Sequence, residues 1–265
     1  MNRALKMIEE GVMNIYDSDK FKEYLIFLSK FHNYSFNNVI LILSQCPNAS
    51  LVAGYKFWQN KLNRQVKKGE KAIKILAPCI IKAKDDNEEE DITYFKFVNV
   101  FDISQTMGEE IPTIIDDLKG NSNAAERLIE SLLLISDINI EFINKEDDDI
   151  LSNGAKGYYN PHQDKIIIDT KLDNIQKCKT LVHEYVHSVL HKDSDKAHNQ
   201  REIEAEALAF IICHHFNIDT SEYSFAYIAS YANQDYNLFK DILNNISNYA
   251  HEFIMNIEPL YLKLN

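Results

Sequence analysis

The segment Leu181-Val182-His183-Glu184-Tyr185-Val186-His187 decides how this chain folds. On a helix, residues four apart lie on one face with about 6 Å of rise between them. His183 and His187 would then aim two imidazoles at one point, where a Zn²⁺ ion accepts nitrogens at about 2.0–2.1 Å. Glu184 stands beside the first histidine, where its carboxylate can take a proton from a water that the ion activates. The ion supplies the acidity and the carboxylate the base, so no nucleophilic side chain is needed. A helix is expected over about 174 to 192. No Gly or Pro interrupts it, and Ile175, Cys178, Val182, Tyr185 and Val189 give it an apolar stripe.

A catalytic zinc needs a third protein ligand and keeps a fourth position open. His191 continues the series, but it lies about 12 Å along the axis from His183, too far to share one ion. It reads as a cation at the helix C-terminus or as a rim residue. The next helix, about 200 to 216, opens with Arg201-Glu202-Ile203-Glu204-Ala205-Glu206-Ala207. Glu202 and Glu206 share a face, and Glu204 points elsewhere. One of the pair is placed to bind the metal, and the other to accept a hydrogen bond from a ligand histidine and fix its tautomer. Three acids would also suit a solvated helix N-terminus. The apolar run Ala207 to Cys213 marks the helix as buried, however, and buried acids call for a cation. Asp169, His198, His214 and His215 read as structural.

Outward from these helices the pattern is mixed. Residues 4 to 45 are helical, with Asp17 or Ser18 capping a second helix that repeats Phe21, Leu25, Leu28 and Phe31. After a break at Asn33-Tyr34-Ser35, Ser35 can cap a further apolar helix, Phe36 to Cys46. Leu51 to Leu62 is a turn and a short aromatic helix, Gln65 to Lys71 a strand with a turn, and Ile73–Ile81 and Ile92–Phe101 two β runs. Asp85 to Asp91 form an acidic, solvated hairpin tip. Ala124–Ile135 is a helix, and Ile138–Ile143, Gly157–Asn160 and Lys165–Asp169 are β elements. Helices at about 222 to 232 and 236 to 262 close the chain.

The expected class is α+β with two domains. Residues 1–110 would combine helices with a small antiparallel sheet, 111–121 would form a linker, and 122–265 would hold the metal site.

Charge supports this division. Residues 1 to 84 hold 14 Lys/Arg against 6 Asp/Glu, a net of +8, while the remainder is −20, giving −12 for all 265 residues. The first part suits a polyanion and the second would repel one. The four cysteines stand far apart without a C-x-x-C pair, which excludes a thiolate zinc knot and a disulfide framework and leaves buried thiols. Apolar runs are too short to cross a bilayer, and no signal peptide is evident. A soluble, reduced, cytoplasmic protein without membrane contact is expected.

His183-Glu184-Tyr185-Val186-His187 with Glu202-Ile203-Glu204-Ala205-Glu206 resembles the ImmA/IrrE group of zinc metallopeptidases. That resemblance implies a zincin-like domain with Glu202 as the third ligand, although Glu206 stands where the group has Asp or Asn, so the two roles could be exchanged. It also likens Gly157-Tyr158-Tyr159-Asn160 and Lys165–Asp169 to the edge strand beside an extended peptide substrate. Tyr158 or Tyr159 is the candidate to assist the oxyanion. Tyr34-Ser35-Phe36-Asn37-Asn38, Ala53-Gly54-Tyr55-Lys56-Phe57-Trp58, Arg64 to Lys71 and Val100 to Thr106 resemble the N-terminal domain of ArdC-type antirestriction proteins. This likeness implies binding of single-stranded DNA in the service of a mobile element.

Single strands are held by basic grooves and aromatic platforms. Lys56, Lys61, Arg64, Lys67, Lys68 and Lys71 supply the first ingredient, and Tyr55 and Trp58 the second, with core packing an equal reading for Phe57 and Trp58. The expected function is antirestriction or DNA protection combined with zinc hydrolase chemistry on an unidentified peptide or protein. The alternatives are a regulatory endopeptidase that cleaves a repressor, and a non-catalytic DNA-binding module with structural zinc.

Overall fold

The structure is a computed structural model that describes residues 2–81, 92–111, 123–221, 223, 225 and 235–264. Three helices fill the leading residues: α1 (Asn2–Met13), α2 (Ser18–Phe31) and α3 (Phe36–Gln45). Asp17 starts α2 by accepting hydrogen bonds from the Asp19 and Lys20 N–H groups at 2.9 and 3.0 Å. Ser35 occupies the corresponding place before α3, but its side chain makes no capping bond.

The chain divides into two compact units, Met1–Ile15 with Tyr34–Pro112 and Tyr16–Asn33 with Thr113–Asn265. The second unit thus includes α2, which the sequence reading placed in the first domain. Its buried face (Phe21, Tyr24, Leu25, Leu28) finds partners there. Phe21 meets the Phe225 ring edge-on at 5.1 Å, and the Tyr24 hydroxyl donates to the Leu243 carbonyl at 3.3 Å.

In the first unit α1 lies against α3, and α3 covers β3 (Ile73–Ile81). This strand pairs antiparallel with β4 (Ile92–Asp102), which also pairs with β1 (Val52–Gly54), in the order β1-β4-β3. Alternation puts Ile73 and Ile75 inside and Lys74 outside. As an edge strand, β3 offers unpaired backbone groups, and α3 satisfies two residues of it. Asn38 and Gln45, two helical turns apart, each accept from a strand N–H and donate to the same residue's carbonyl. Asn38 does so with Leu76 at 2.8 and 2.9 Å, and Gln45 with Lys74 at 3.0 and 2.9 Å.

A second ribbon pairs β2 (Arg64–Val66) with β5 (Thr106–Gly108), and α4 (Tyr55–Lys61) precedes β2. Asp102, 1% exposed, ties this region together. Its carboxylate accepts from the Ser50, Leu51 and Ser104 N–H groups at 2.8, 3.1 and 2.9 Å. Burial opposes ionisation, but these donors outweigh it and hold the carboxyl below the usual range.

In the second unit the sheet runs β6-β8-β7, with β6 (Asn139–Ile143) parallel and β7 (Gly157–Asn160) antiparallel to the central β8 (Lys165–Asp169). Ile166, Ile167 and Ile168 of β8 are buried. The helices are α5 (Ala124–Ile135), the single turn α6 (Asp149–Ser152), α7 (Asn174–Leu190), α8 (His198–His215) and α9 (Tyr236–Tyr261).

Asp173 caps α7 through the Gln176 N–H at 2.9 Å. Helix α7 buries Cys178, Leu181, Val182, Tyr185 and Val186. Ile175 and Val189, expected in its stripe, are 43% and 49% exposed because the packed face covers only the middle turns. From Ala207 to Cys213 every residue of α8 is buried, the pattern of a helix enclosed on all sides. Cys178 and Cys213 are buried thiols, and Cys46 and Cys79 are half-buried.

The architecture is α+β. The acidic tip at 85–91, the linker from residue 112 onward and most of the expected helix at 222–232 lie outside the described residues. Among the described residues no helix is long and apolar enough to cross a membrane.

Candidate metal centre

Helix α7 places His183 and His187 one turn apart, and their Nε2 atoms lie 3.0 Å from each other. Helix α8, packed along α7, brings Glu202 to both, with one oxygen 3.6 Å from His183 Nε2 and the other 3.3 Å from His187 Nε2. The three ligand atoms lie within 4.8 Å of one another, and no other such group of three occurs among the described residues. A tetrahedron with bonds of about 2.0–2.1 Å has edges of about 3.3–3.4 Å. The two Nε2 atoms are 3.0 Å apart and each meets a different Glu202 oxygen, at 3.6 and 3.3 Å, close to that edge length, so the three side chains converge on one space of the size an ion needs. His198 approaches Glu202 at 3.7 Å from an exposed position.

The electrostatics agree with a cation site. Burial alone would lower the His183 imidazole, but the Glu202 and Glu206 carboxylates outweigh it and push the pKa up to about 10. Hydrogen bonds from His183 and His187 hold Glu202 well below the usual carboxylate range. In this arrangement protons supply the positive charge that a metal would bring, since coordinating ligands must be deprotonated. Glu206 meets His183 at the other ring nitrogen, Nδ1, at 3.3 Å. That is the position of a carboxylate that orients a ligand imidazole.

Glu184 has a fixed partner. The Tyr159 backbone N–H donates to its Oε2 at 2.9 Å, which joins α7 to the edge strand β7. Gly157 makes this approach possible, because a Cβ there would lie 2.6–2.8 Å from Ile168, Thr180 and the Ile167 carbonyl. A cavity of about 300 Å³ opens beside the site, where Pro161, Lys192 and Arg201 join the two tyrosines and the metal-site residues.

The tyrosine hydroxyls, expected to assist an oxyanion, are engaged elsewhere. Tyr158 donates to Asp148 at 2.8 Å and Tyr159 to Asp164 at 2.7 Å. Burial, aided by Asp148, pushes the Tyr158 phenol up to about 12.

His191 is neither a rim residue nor a cation. It caps the C-terminus of α7 at 4% exposure, and burial lowers its pKa. Its Nδ1 lies 3.0 Å from His187 Nδ1, and its Nε2 lies 3.0 Å from the buried Glu204 carboxylate. Asp169 accepts from the Lys171 N–H at 2.9 Å. His214 lies 3.0 Å from the Ser29 hydroxyl, and His215 bridges the Ser29 carbonyl and Glu258.

In the first unit Lys56, Lys61, Lys68 and Lys71 are exposed. Arg64 and Lys67 are partly used in folding. Arg64 Nε donates to the Thr106 hydroxyl at 2.8 Å and its other nitrogens donate to the Thr106, Gly108 and Glu109 carbonyls, while Lys67 donates to the Ser104 carbonyl at 2.8 Å. Tyr55 and Phe57 are 47% and 52% exposed. Trp58 corrects the expectation of a base-stacking ring: it is fully buried, and its indole N–H donates to the Phe101 carbonyl at 2.9 Å, so it has no open face.

Both halves match known families. Residues 1–101 match the N-terminal domain of anti-restriction factor ArdC, and residues 145–262 match the IrrE N-terminal-like domain of the M78 peptidases. The leading residues are thus similar to an ArdC-type N-terminal domain and the trailing residues to an IrrE-like domain. Among solved structures, it is similar to the antirestriction protein ArdC from the R388 plasmid. The metal-free form aligns with a TM-score of 0.55 at 19% identity over 87% of this chain and 86% of that one. The Mn(II)-bound form gives 0.53 at 19% identity over 86% and 85%. A Bacillus anthracis protein, pXO2-81, itself uncharacterized, is 29% identical over 247 residues. The alignment spans 77% of this chain and 42% of that longer protein.

Proposed function

We propose that this chain is an ArdC-like antirestriction protein that binds single-stranded DNA through its first unit and holds a catalytic divalent metal, zinc, in its second. The observation that carries the reading is the convergence of His183 Nε2, His187 Nε2 and the Glu202 carboxylate within metal-ligand reach of one another, beside Glu184. The Mn(II)-bound form of R388 ArdC supports a divalent ion at this fold. When bound, such an ion polarises a carbonyl and raises the acidity of water. His183, His187 and Glu202 are the ligands, and Glu206 orients His183. Glu184, with Oε2 anchored by the Tyr159 N–H, takes the proton of the attacking water and returns it to the leaving amine. Strand β7, the outer strand of its sheet, is the edge along which an extended peptide would lie.

For the DNA, Lys56, Lys61, Lys68 and Lys71 are exposed phosphate contacts, with Arg64 and Lys67 contributing charge, and Tyr55 is the base-stacking ring. Retention of a labelled oligonucleotide in filter binding at low salt tests this half, and no retention overturns it. Exchange of Glu184→Gln tests the other half. It leaves the metal in place and lowers hydrolysis by about 10²–10⁴-fold, the usual worth of a general base. Undiminished biological protection with that variant would show that hydrolysis is not the protein's role.

A further inference from the structure

His183 and His187 are oriented by different devices. His183 Nδ1 meets a carboxylate directly, at Glu206. His187 Nδ1 meets a third imidazole, His191, at 3.0 Å, and only beyond that ring, again at 3.0 Å, comes a carboxylate, Glu204. The latter two side chains are 2% and 0% exposed. A carboxylate so deeply buried needs partners. The Lys196 ammonium donates to both of its oxygens at 2.9 and 2.7 Å, and Gln200 adds a third bond at 3.3 Å.

We propose that His191 and Glu204 are positioning residues that hold His187 in its metal-binding tautomer. The inference rests on the metal centre proposed above. A carboxylate with Lys196 on both oxygens accepts, so the His191 proton lies on Nε2 and points at Glu204. His191 Nδ1 then carries a lone pair toward His187. A nitrogen–nitrogen contact of 3.0 Å is a hydrogen bond only with one proton between the rings, and that proton belongs to His187 Nδ1. Once a metal replaces the protons of the site, His187 Nε2 is left with its lone pair on the side where His183 Nε2 and Glu202 converge. The polarity of the relay, from Glu204 through His191 to His187, thus selects the ligand nitrogen two residues away along the chain of contacts. It also accounts for a fully buried acid in the opening turns of α8, on a different face from Glu202 and Glu206.

The test uses the intact protein with Co²⁺ as the probe, read by chelator competition and by the visible spectrum. His191→Phe removes the acceptor and is expected to weaken Co²⁺ binding by about 10–100-fold, the usual cost of losing such a partner. His191→Gln keeps the polarity, since its carbonyl accepts from His187 and its amide donates to Glu204. It is expected to bind within about threefold of wild type with an unchanged spectrum. Equal binding by wild type and His191→Phe, or equal weakness of the Gln and Phe variants, overturns the relay. Should thermal melts show that metal-free His191→Phe does not fold, wild type carries the test. Its zinc-loaded ¹⁵N spectrum should show a proton on His187 Nδ1 coupled across the hydrogen bond to His191 Nδ1, and absence of that coupling overturns the proposal. Wild type that takes up no Co²⁺ overturns the metal centre itself, a failure distinct from that of the relay.

Discussion

The basic region around α4 and β2 and the metal centre between α7 and α8 use charged side chains in opposite ways. Around α4, Lys56, Lys61, Lys68 and Lys71 project singly into solvent, while Arg64 and Lys67 spend donors on backbone carbonyls. Between α7 and α8, the charged and polar groups converge, are half-buried or fully buried, and each is held by a second partner. The first arrangement attracts a polyanion at long range and tolerates the loss of any one member. The second works only as a set, because moving one ligand changes the geometry for all.

The sharpest way to separate the two regions begins with Trp58. If the ring is core rather than a base platform, Trp58→Ala costs about 3–5 kcal/mol of stability in denaturant unfolding. Unchanged stability with lost oligonucleotide binding would reverse that assignment. Next comes Gly157→Ala, which pushes β7 away from α7 and shifts the Tyr159 N–H from Glu184. A misplacement on the ångström scale costs about 10²-fold in hydrolysis, with metal content retained. Normal hydrolysis would show that this contact does not align the base.

A third prediction separates packed histidines from ligand histidines. Burial, with His215 adding to it, pulls His32 down to about 4, so it is neutral in the folded state. The unfolded chain takes up that proton below its ordinary value of 6.5. Stability is therefore independent of His32 above pH 6.5 and declines as the pH falls from 6.5 toward 4. His32→Phe should flatten that slope in urea titrations, and an unchanged slope would assign it to other groups. The smallest effect belongs to Lys56→Ala. It should reduce the salt dependence of single-strand binding by about 0.7 in log–log slope, the loss of one phosphate contact, and leave the fold intact. A decrease several times larger would mean that Lys56 acts as part of a set.

Much of the centre was legible in the sequence because its geometry is local. His183, Glu184 and His187 lie on one helix, where spacing fixes direction. The choice between Glu202 and Glu206 was not, since both lie on one face of α8. Only the packing of α8 along α7 decides that Glu202 reaches the two Nε2 atoms and Glu206 reaches Nδ1. His191 and Glu204 left a signal that distance along the helix alone obscured, a histidine at the next turn and an acid flanked by Ile203 and Ala205. Helix α2 showed by its periodicity that it buries a face, but a period does not name the surface it meets. Trp58 illustrates the converse: an aromatic among lysines suits a base platform and a core equally until the fold shows which way the short helix turns.

The central claim is that three side chains of the second unit grip one ion. Elemental analysis of purified wild type beside His183→Ala and Glu202→Ala tests it most directly. About one divalent ion per chain in wild type and almost none in either variant is the predicted result. Metal content in Glu202→Ala equal to wild type, or a wild type without metal after incubation with zinc, would contradict the account.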